Sequence, residues 1–147
     1  MIGRLTDSVS TCTSIVSIVD DELDITKLFD VVLRDNMDHA SVVTFNDPVI
    51  ALEHYAKYKN RYALVIADMR MPAVNGLELL KKVKELNPKV RTILTSAYEF
   101  ENNPVFRNYL EVGIINSFIQ KPVKIDRLRQ IVRDEFRMYQ SEFNDKR

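Results

Sequence analysis

The stretch "ALVIADMRMPAVNG", residues 63–76, decides the architecture. A run of mostly apolar residues ends on Asp68, and the chain reaches Gly76 only after two Met, an Arg and a Pro. A strand that is apolar at successive positions, not alternating ones, is covered on both faces, as in a parallel sheet. An ionised carboxylate at the rim of such a strand is costly to desolvate unless a cation compensates it. The remaining sequence must therefore supply both the covering layers and the cation.

Similar short runs occur at Ile15–Val19, Ser41–Phe45, Thr92–Leu94 and Ile114–Ile119, each too short for a helix. Helical spacing separates them. The first helix sets Ile25, Leu28, Phe29, Val32 and Leu33 on an apolar face against Leu23, Thr26, Lys27, Asp30 and Arg34. Asp47-Pro48 opens a second helix to about Lys59, and Asn103-Pro104 opens a fourth that stops at Gly113. The third spans Gly76–Leu86 and ends at Asn87-Pro88. The last begins near Lys124 and is expected to bury Ile125, Leu128, Val132, Phe136 and Tyr139. Strict alternation of five strands and five helices predicts an α/β fold, a flavodoxin-like (βα)5 three-layer sandwich with parallel strand order 2-1-3-4-5. The expected organisation is a flexible N-terminal arm at 1–14, one domain at 15–140 and a fraying tail at 141–147.

Composition narrows the function. The 21 basic and 21 acidic side chains leave no net field to attract nucleic acid. Apolar runs of about five residues fall far short of the roughly 20 that a membrane span needs. The lone Cys12 cannot form an internal disulfide, which fits a reducing, cytoplasmic location.

In doubly wound sheets the ligand site forms at the carboxyl ends of the strands, where strand order reverses. There the sequence places Asp20-Asp21, Asp68, Thr95-Ser96 and Gln120-Lys121. Asp20, Asp21 and Asp68 end neighbouring strands and would raise one another's pKa unless a cation intervened. All-oxygen ligation of this kind suits Mg²⁺, with Lys121 as a second, permanent cation. Each acid could instead be a helix N-cap. That alternative accounts poorly for four polar strand ends converging on one rim.

With "IVDDE", "IADMRMPAVNGLELL", "LTSA" and "FIQKPV" in this order, the chain resembles the receiver domain of two-component response regulators over about residues 14–140, in the stand-alone form typified by chemotaxis regulators. The resemblance implies that Asp68 accepts a phosphoryl group from a sensor histidine kinase or a phosphotransfer protein. It implies Mg²⁺ held by Asp21, Asp68 and the carbonyl of Arg70, with Asp20 acting mainly through a water. Ser96 and Lys121 would engage the phosphoryl oxygens, Phe118 would be the switch aromatic, and the bond before Pro122 would be cis. Arg70 and Tyr98, two positions after Asp68 and Ser96, would tune dephosphorylation. No further enzymatic activity is expected beyond Mg²⁺-dependent self-phosphorylation and self-dephosphorylation.

Three departures from the family pattern stand out. Asn75 replaces the usual Asp before Gly76 and reads as neutral; Phe118 lacks the hydroxyl of the more frequent Tyr; "AYEFENN" after Ser96 is longer than usual. His39 and His54 lie away from the site. A haloacid-dehalogenase-like phosphatase would need an acid where Arg70 stands, and a guanidinium cannot donate a proton at neutral pH. A flavin or dinucleotide site would need a Gly- or Ser/Thr-rich loop where Asp20-Asp21-Glu22 repels phosphate. With about eight residues after the last helix, output is expected through protein contact, although a fragment would read the same. Arg107, Tyr109 and Glu111 with Arg127, Gln130 and Asp134 offer a downstream partner surface, the alternative being a solvated charged face. Homodimerisation on phosphorylation would be compatible with it.

Overall fold

The β-branched runs do form a parallel sheet. The structure is a computed structural model describing residues 14–35, 37, 39–97 and 103–145. Its elements are β1 (Ser14–Val19), α1 (Leu23–Arg34), β2 (Ala40–Phe45), α2 (Pro48–Lys57), a 3₁₀ turn (Lys59–Arg61), β3 (Tyr62–Asp68), α3 (Gly76–Leu86), β4 (Arg91–Ser96), α4 (Pro104–Glu111), β5 (Ser117–Gln120) and α5 (Ile125–Asp145). The strand order is β2-β1-β3-β4-β5, every pair parallel. The central β3 is buried along its whole length.

Two apolar clusters lie on opposite faces of the sheet. On one, Tyr55 of α2, Leu79, Leu80 and Val83 of α3 and Phe106 of α4 meet Val65 and Leu94. On the other, Phe29, Val32 and Leu33 of α1 meet Leu64, Ile66 and Ile93, together with Leu128, Ile131 and Val132 of α5. Three layers result, as the alternating pattern predicts. Glu135, a buried acid on α5, ties that helix to the sheet through Arg91 at 2.7 Å and through the Ser117 hydroxyl.

Helix starts follow local chemistry. Asp47 accepts from the Val49 amide at 2.9 Å, and Asn103 from the Val105 and Phe106 amides, with proline in the first turn each time. Asn75 forms a reciprocal capping box with Glu78, at 2.9 and 3.1 Å, a cap that the usual Asp would make equally well. Gly113 takes a left-handed φ of 83° just past α4, a conformation that costs glycine little.

Several sequence expectations are corrected. Ser14 already belongs to β1, pairing with Ala40, so the strand begins inside the expected arm. On α1, Thr26 is buried and Leu28 is 43% exposed, the reverse of the amphipathic assignment. Asn46 is the cause, because its amide donates to the Thr26 hydroxyl at 3.0 Å and stabilises the polar group inside. α2 ends at Lys57 and a 3₁₀ turn follows. β5 starts at Ser117, not Ile114: the Ile114 and Ile115 amides both bond to the Tyr109 carbonyl, closing the end of α4. On α5, Ile131 fills the core where Ile125 was expected, and Ile125 is 40% exposed. α5 also continues through Asp145 where fraying was expected, since no glycine or proline interrupts residues 125–145. Residues 1–13, including Cys12, lie outside the described residues, as does Tyr98.

Candidate functional site

The carboxyl ends of β1, β3, β4 and β5 meet at one rim of the sheet. β1 leads into Asp20, which is almost fully buried, and Asp21, which is exposed. Asp20 is held firmly. Its amide donates to the Phe45 carbonyl at 3.1 Å, its carbonyl accepts from Asn46 at 2.8 Å, and its carboxylate accepts from the Glu22 amide at 2.9 Å. β3 delivers Asp68, 7% exposed, and the Met69 amide continues the ladder to the Thr95 carbonyl.

Asp20, Asp21 and Asp68 each bring one carboxylate oxygen into a group whose members lie within 4.8 Å of one another. Lys121, just after β5, reaches into that group. Its Nζ lies 2.9 Å from Asp68 Oδ1 and 3.0 Å from Asp20 Oδ2. Burial pushes the Asp68 carboxyl above its ordinary value; the Lys121 hydrogen bond pulls it back, and the charges of Asp20 and Asp21 push it up again. Burial alone would lower Lys121, but its hydrogen bonds to Asp68 and Asp20 outweigh this and raise it. The cation that Asp68 requires is thus present, and it neutralises only part of the acidic charge.

The donor set fits Mg²⁺. All three groups are carboxylates, and Asp21 has no hydrogen bond or ion pair among the described residues, which leaves oxygens for a hard cation and its waters. A shallow cavity of about 430 Å³ opens beside Asp21, lined also by Met69, Arg70, Met71, Pro72 and Asn75.

Gly76 sets the shape of this loop. Its amide donates to the Met69 carbonyl at 2.9 Å, and a Cβ there would stand 2.5 Å from the Asp68 carbonyl oxygen and 2.7 Å from Leu94 Cδ1. No rotamer relieves a clash with backbone. Gly76→Ala is expected to destabilise the fold by about 1–3 kcal/mol, the usual cost of overpacking, and to displace Asp68. Urea unfolding tests the first effect, and a variant as stable as the wild type would refute it.

Ser96 is buried, and its carbonyl accepts the Lys121 amide at 2.8 Å, which ties the Lys121 loop to the end of β4. The Lys121–Pro122 bond is cis. Phe118 is half-buried and meets Phe106 of α4 edge-on, ring centres 5.1 Å apart. Arg70 is exposed on the loop after β3. Thr95, named in the sequence only as a polar strand end and given no role there, sets its hydroxyl 3.5 Å from Asp68 Oδ1. Its only sequence signal was its place at the end of an apolar run. His54 stays away from the site, its Nδ1 sharing a 2.6 Å hydrogen bond with the Tyr62 hydroxyl. His39 is exposed before β2.

Residues 16–133 match the family described as the response regulator receiver domain. The chain belongs to that family. Among its receiver relatives, sporulation initiation phosphotransferase F of Bacillus subtilis is 34% identical over 51% of this chain and 58% of its own length. Response regulator protein PilR of Pseudomonas aeruginosa is 30% identical over 82% of this chain and 26% of its own. The chain thus spans under two thirds of either relative. Among solved structures, a CheY-like receiver from Methanospirillum hungatei superposes with a TM-score of 0.73 at 24% identity, covering 88% of this chain and 98% of that one. A receiver from Vibrio parahaemolyticus gives 0.77 at 18% identity, covering 92% and 98%. These two likenesses show the receiver fold. No helix among the described residues is long and apolar enough to cross a membrane.

Proposed function

We propose that Asp68 accepts a phosphoryl group from a histidine kinase or a phosphotransfer protein, and that the modified rim then alters the α4–β5–α5 face read by a protein partner. The observation that carries this reading is the Lys121 ammonium seated between Asp68 and Asp20, beside a third carboxylate. In the transfer, an Asp68 carboxylate oxygen forms the new P–O bond as the donor's P–N bond breaks. Lys121 stabilises the charge on the transferring oxygens, and the fixed loops around Asp20 and Met69 keep the nucleophile oriented. Mg²⁺, held by Asp21, Asp68 and the Arg70 carbonyl with Asp20 acting mainly through a water, would supply further neutralisation of that charge. No other catalytic group is required, and self-phosphorylation and self-dephosphorylation are the activities proposed.

The added phosphoryl group brings negative charge and new acceptor oxygens. Lys121 and Ser96 satisfy them by moving, and because Lys121 is bonded to the Ser96 carbonyl the movement is shared with β4. Phe118, packed on Phe106, couples the same strand region to α4. Of the partner surface, Arg107, Glu111, Arg127 and Asp134 are exposed, whereas Tyr109 is half-buried against the core. Homodimerisation through this face, an intracellular setting, and a single domain running from the start of β1 through α5 belong to the same proposal.

Metal titration tests the site. Asp21→Ala is expected to lose Mg²⁺ binding and Asp20→Ala only to weaken it, since Asp21 is the exposed carboxylate with no other partner among the described residues. Equal binding curves for wild type and Asp21→Ala would refute the assignment. Phosphoryl lifetime tests the roles proposed for Arg70 and Tyr98. A long guanidinium at Arg70 and an aromatic ring at Tyr98 would screen the bond from water, so Arg70→Asn with Tyr98→Glu is expected to speed decay about tenfold, roughly 1.4 kcal/mol of barrier. Timed loss of phosphate from the purified phosphoprotein measures it, and decay at the wild-type rate or slower would overturn the screening role.

A further inference from the structure

At the end of the sheet opposite Asp68, a groove of about 260 Å³ runs between the last turn of α1, the start of β2 and the middle of α5. Its apolar lining is Leu33, Met37, Val132 and Phe136, and Arg129, Arg133 and Arg137 stand along α5 beside it. These arginines are four residues apart, so their side chains rise along one helix face at intervals of about 6 Å. Arg133 and Arg137 are exposed and make no ion pair among the described residues. Arg129 meets only Asp126 at 3.6 Å, and its Nε is shut off from solvent with no acceptor among the described residues. Among the described residues, none that lines the groove is acidic. Three arginines thus line this groove at the end of the sheet away from the carboxylates of the Asp68 rim.

We propose that this groove docks an acidic amphipathic helix of a partner protein. The charge pattern selects the occupant. Carboxylates spaced by four along a helix repeat at the same interval as the arginines, while apolar side chains on the adjoining face enter the Phe136 side of the groove. A nucleic-acid backbone would leave the apolar floor unused. A bilayer presents no ridge to fill a concave site. Because the groove lies at the far end of the sheet, it holds its partner whether or not Asp68 is modified, and so acts as a tether distinct from the α4–β5–α5 face. The inference does not depend on the phosphoryl chemistry proposed above.

The test uses the full chain and a fluorescently labelled synthetic helical peptide carrying Glu at every fourth position beside a Leu and Phe stripe. A permuted peptide of the same composition, without that stripe, serves as control. Anisotropy is expected to show binding that weakens as salt rises and that the permuted peptide lacks, with amide shifts centred on Leu33, Ala40 and residues 129–140. Arg133→Glu with Arg137→Glu should weaken binding at least tenfold, and a peptide with Lys in place of Glu should regain it on that variant. Asp68→Asn should bind within twofold of wild type. Equal binding of the permuted peptide, shifts elsewhere, or unchanged binding by the double variant would overturn the proposal. So would preferential binding to phosphatidylserine vesicles, or a groove-dependent change in sedimentation that assigned the face to a second copy of this chain.

Discussion

Replacing Asp68 by Asn is expected to remove phosphotransfer to the limit of detection while leaving a protein that melts no lower than wild type at pH 7. The amide oxygen is a poor nucleophile toward phosphorus, and no other carboxylate has the same setting, because Asp20 is fixed by Glu22, Asn46 and Lys121 and Asp21 is exposed. The stability half follows from linkage. Burial, opposed only in part by Lys121, holds the Asp68 carboxyl above its ordinary value in the folded state. The stability this group contributes is therefore complete below the unfolded-chain value of about 4 and is lost as pH rises through the higher folded-state value. Asn cannot ionise and avoids that loss, and Lys121 keeps Asp20 at 3.0 Å. Urea midpoints at pH 7 and below pH 4 measure the effect: the variant's advantage should shrink in acid. A variant less stable than wild type at pH 7 would show that Lys121 outweighs burial at this carboxylate.

Lys121→Ala should produce the largest loss of stability, about 3 kcal/mol, the usual result of leaving a buried charge without its partner. The side chain is only 16% exposed and serves two carboxylates, so water cannot readily substitute for it. Three consequences distinguish this from loss of packing. The deficit should shrink in acid, where the stranded carboxylates take up protons. It should shrink with added Mg²⁺, which stabilises the variant more than the wild type. It should also shrink when Asp68→Asn is added, a coupling that a double-mutant cycle reads directly. A deficit unaffected by pH, metal and the second substitution would mean that Lys121 contributes by packing alone.

Much of this architecture was legible in sequence because it is written locally. Asp47-Pro48 and Asn103-Pro104 carry their own capping chemistry, and the unbroken apolar run into Asp68 announces a strand covered on both sides. The site was legible for a related reason: parallel strands bring their last residues to one rim, so Asp20, Asp68, Ser96 and Lys121 converge once the strand order is known. Illegible features depend on partners distant in sequence. Thr26 is buried because Asn46 reaches it from the end of β2, and no periodicity on α1 carries that information. Ile114 and Ile115 look like strand but bond to the Tyr109 carbonyl. The polar knot around Asn116 is of the same kind. Its side-chain oxygen accepts from Lys84 Nζ at 3.0 Å and the Thr92 amide at 2.9 Å, joining α3 to β4. Desolvation brings the Lys84 amine down to about 8, a shift that the sequence around a surface-looking helix lysine gives no reason to expect.

The edge-on contact of Phe118 with Phe106 also bears on optics. The chain contains no tryptophan, so its emission arises from tyrosine and phenylalanine alone. One indole introduced at residue 118 would be the sole long-wavelength fluorophore, half-shielded and resting on the first turns of α4. Any displacement of that helix relative to β5 would then be seen as a change in colour and quenching, in real time and without an attached dye.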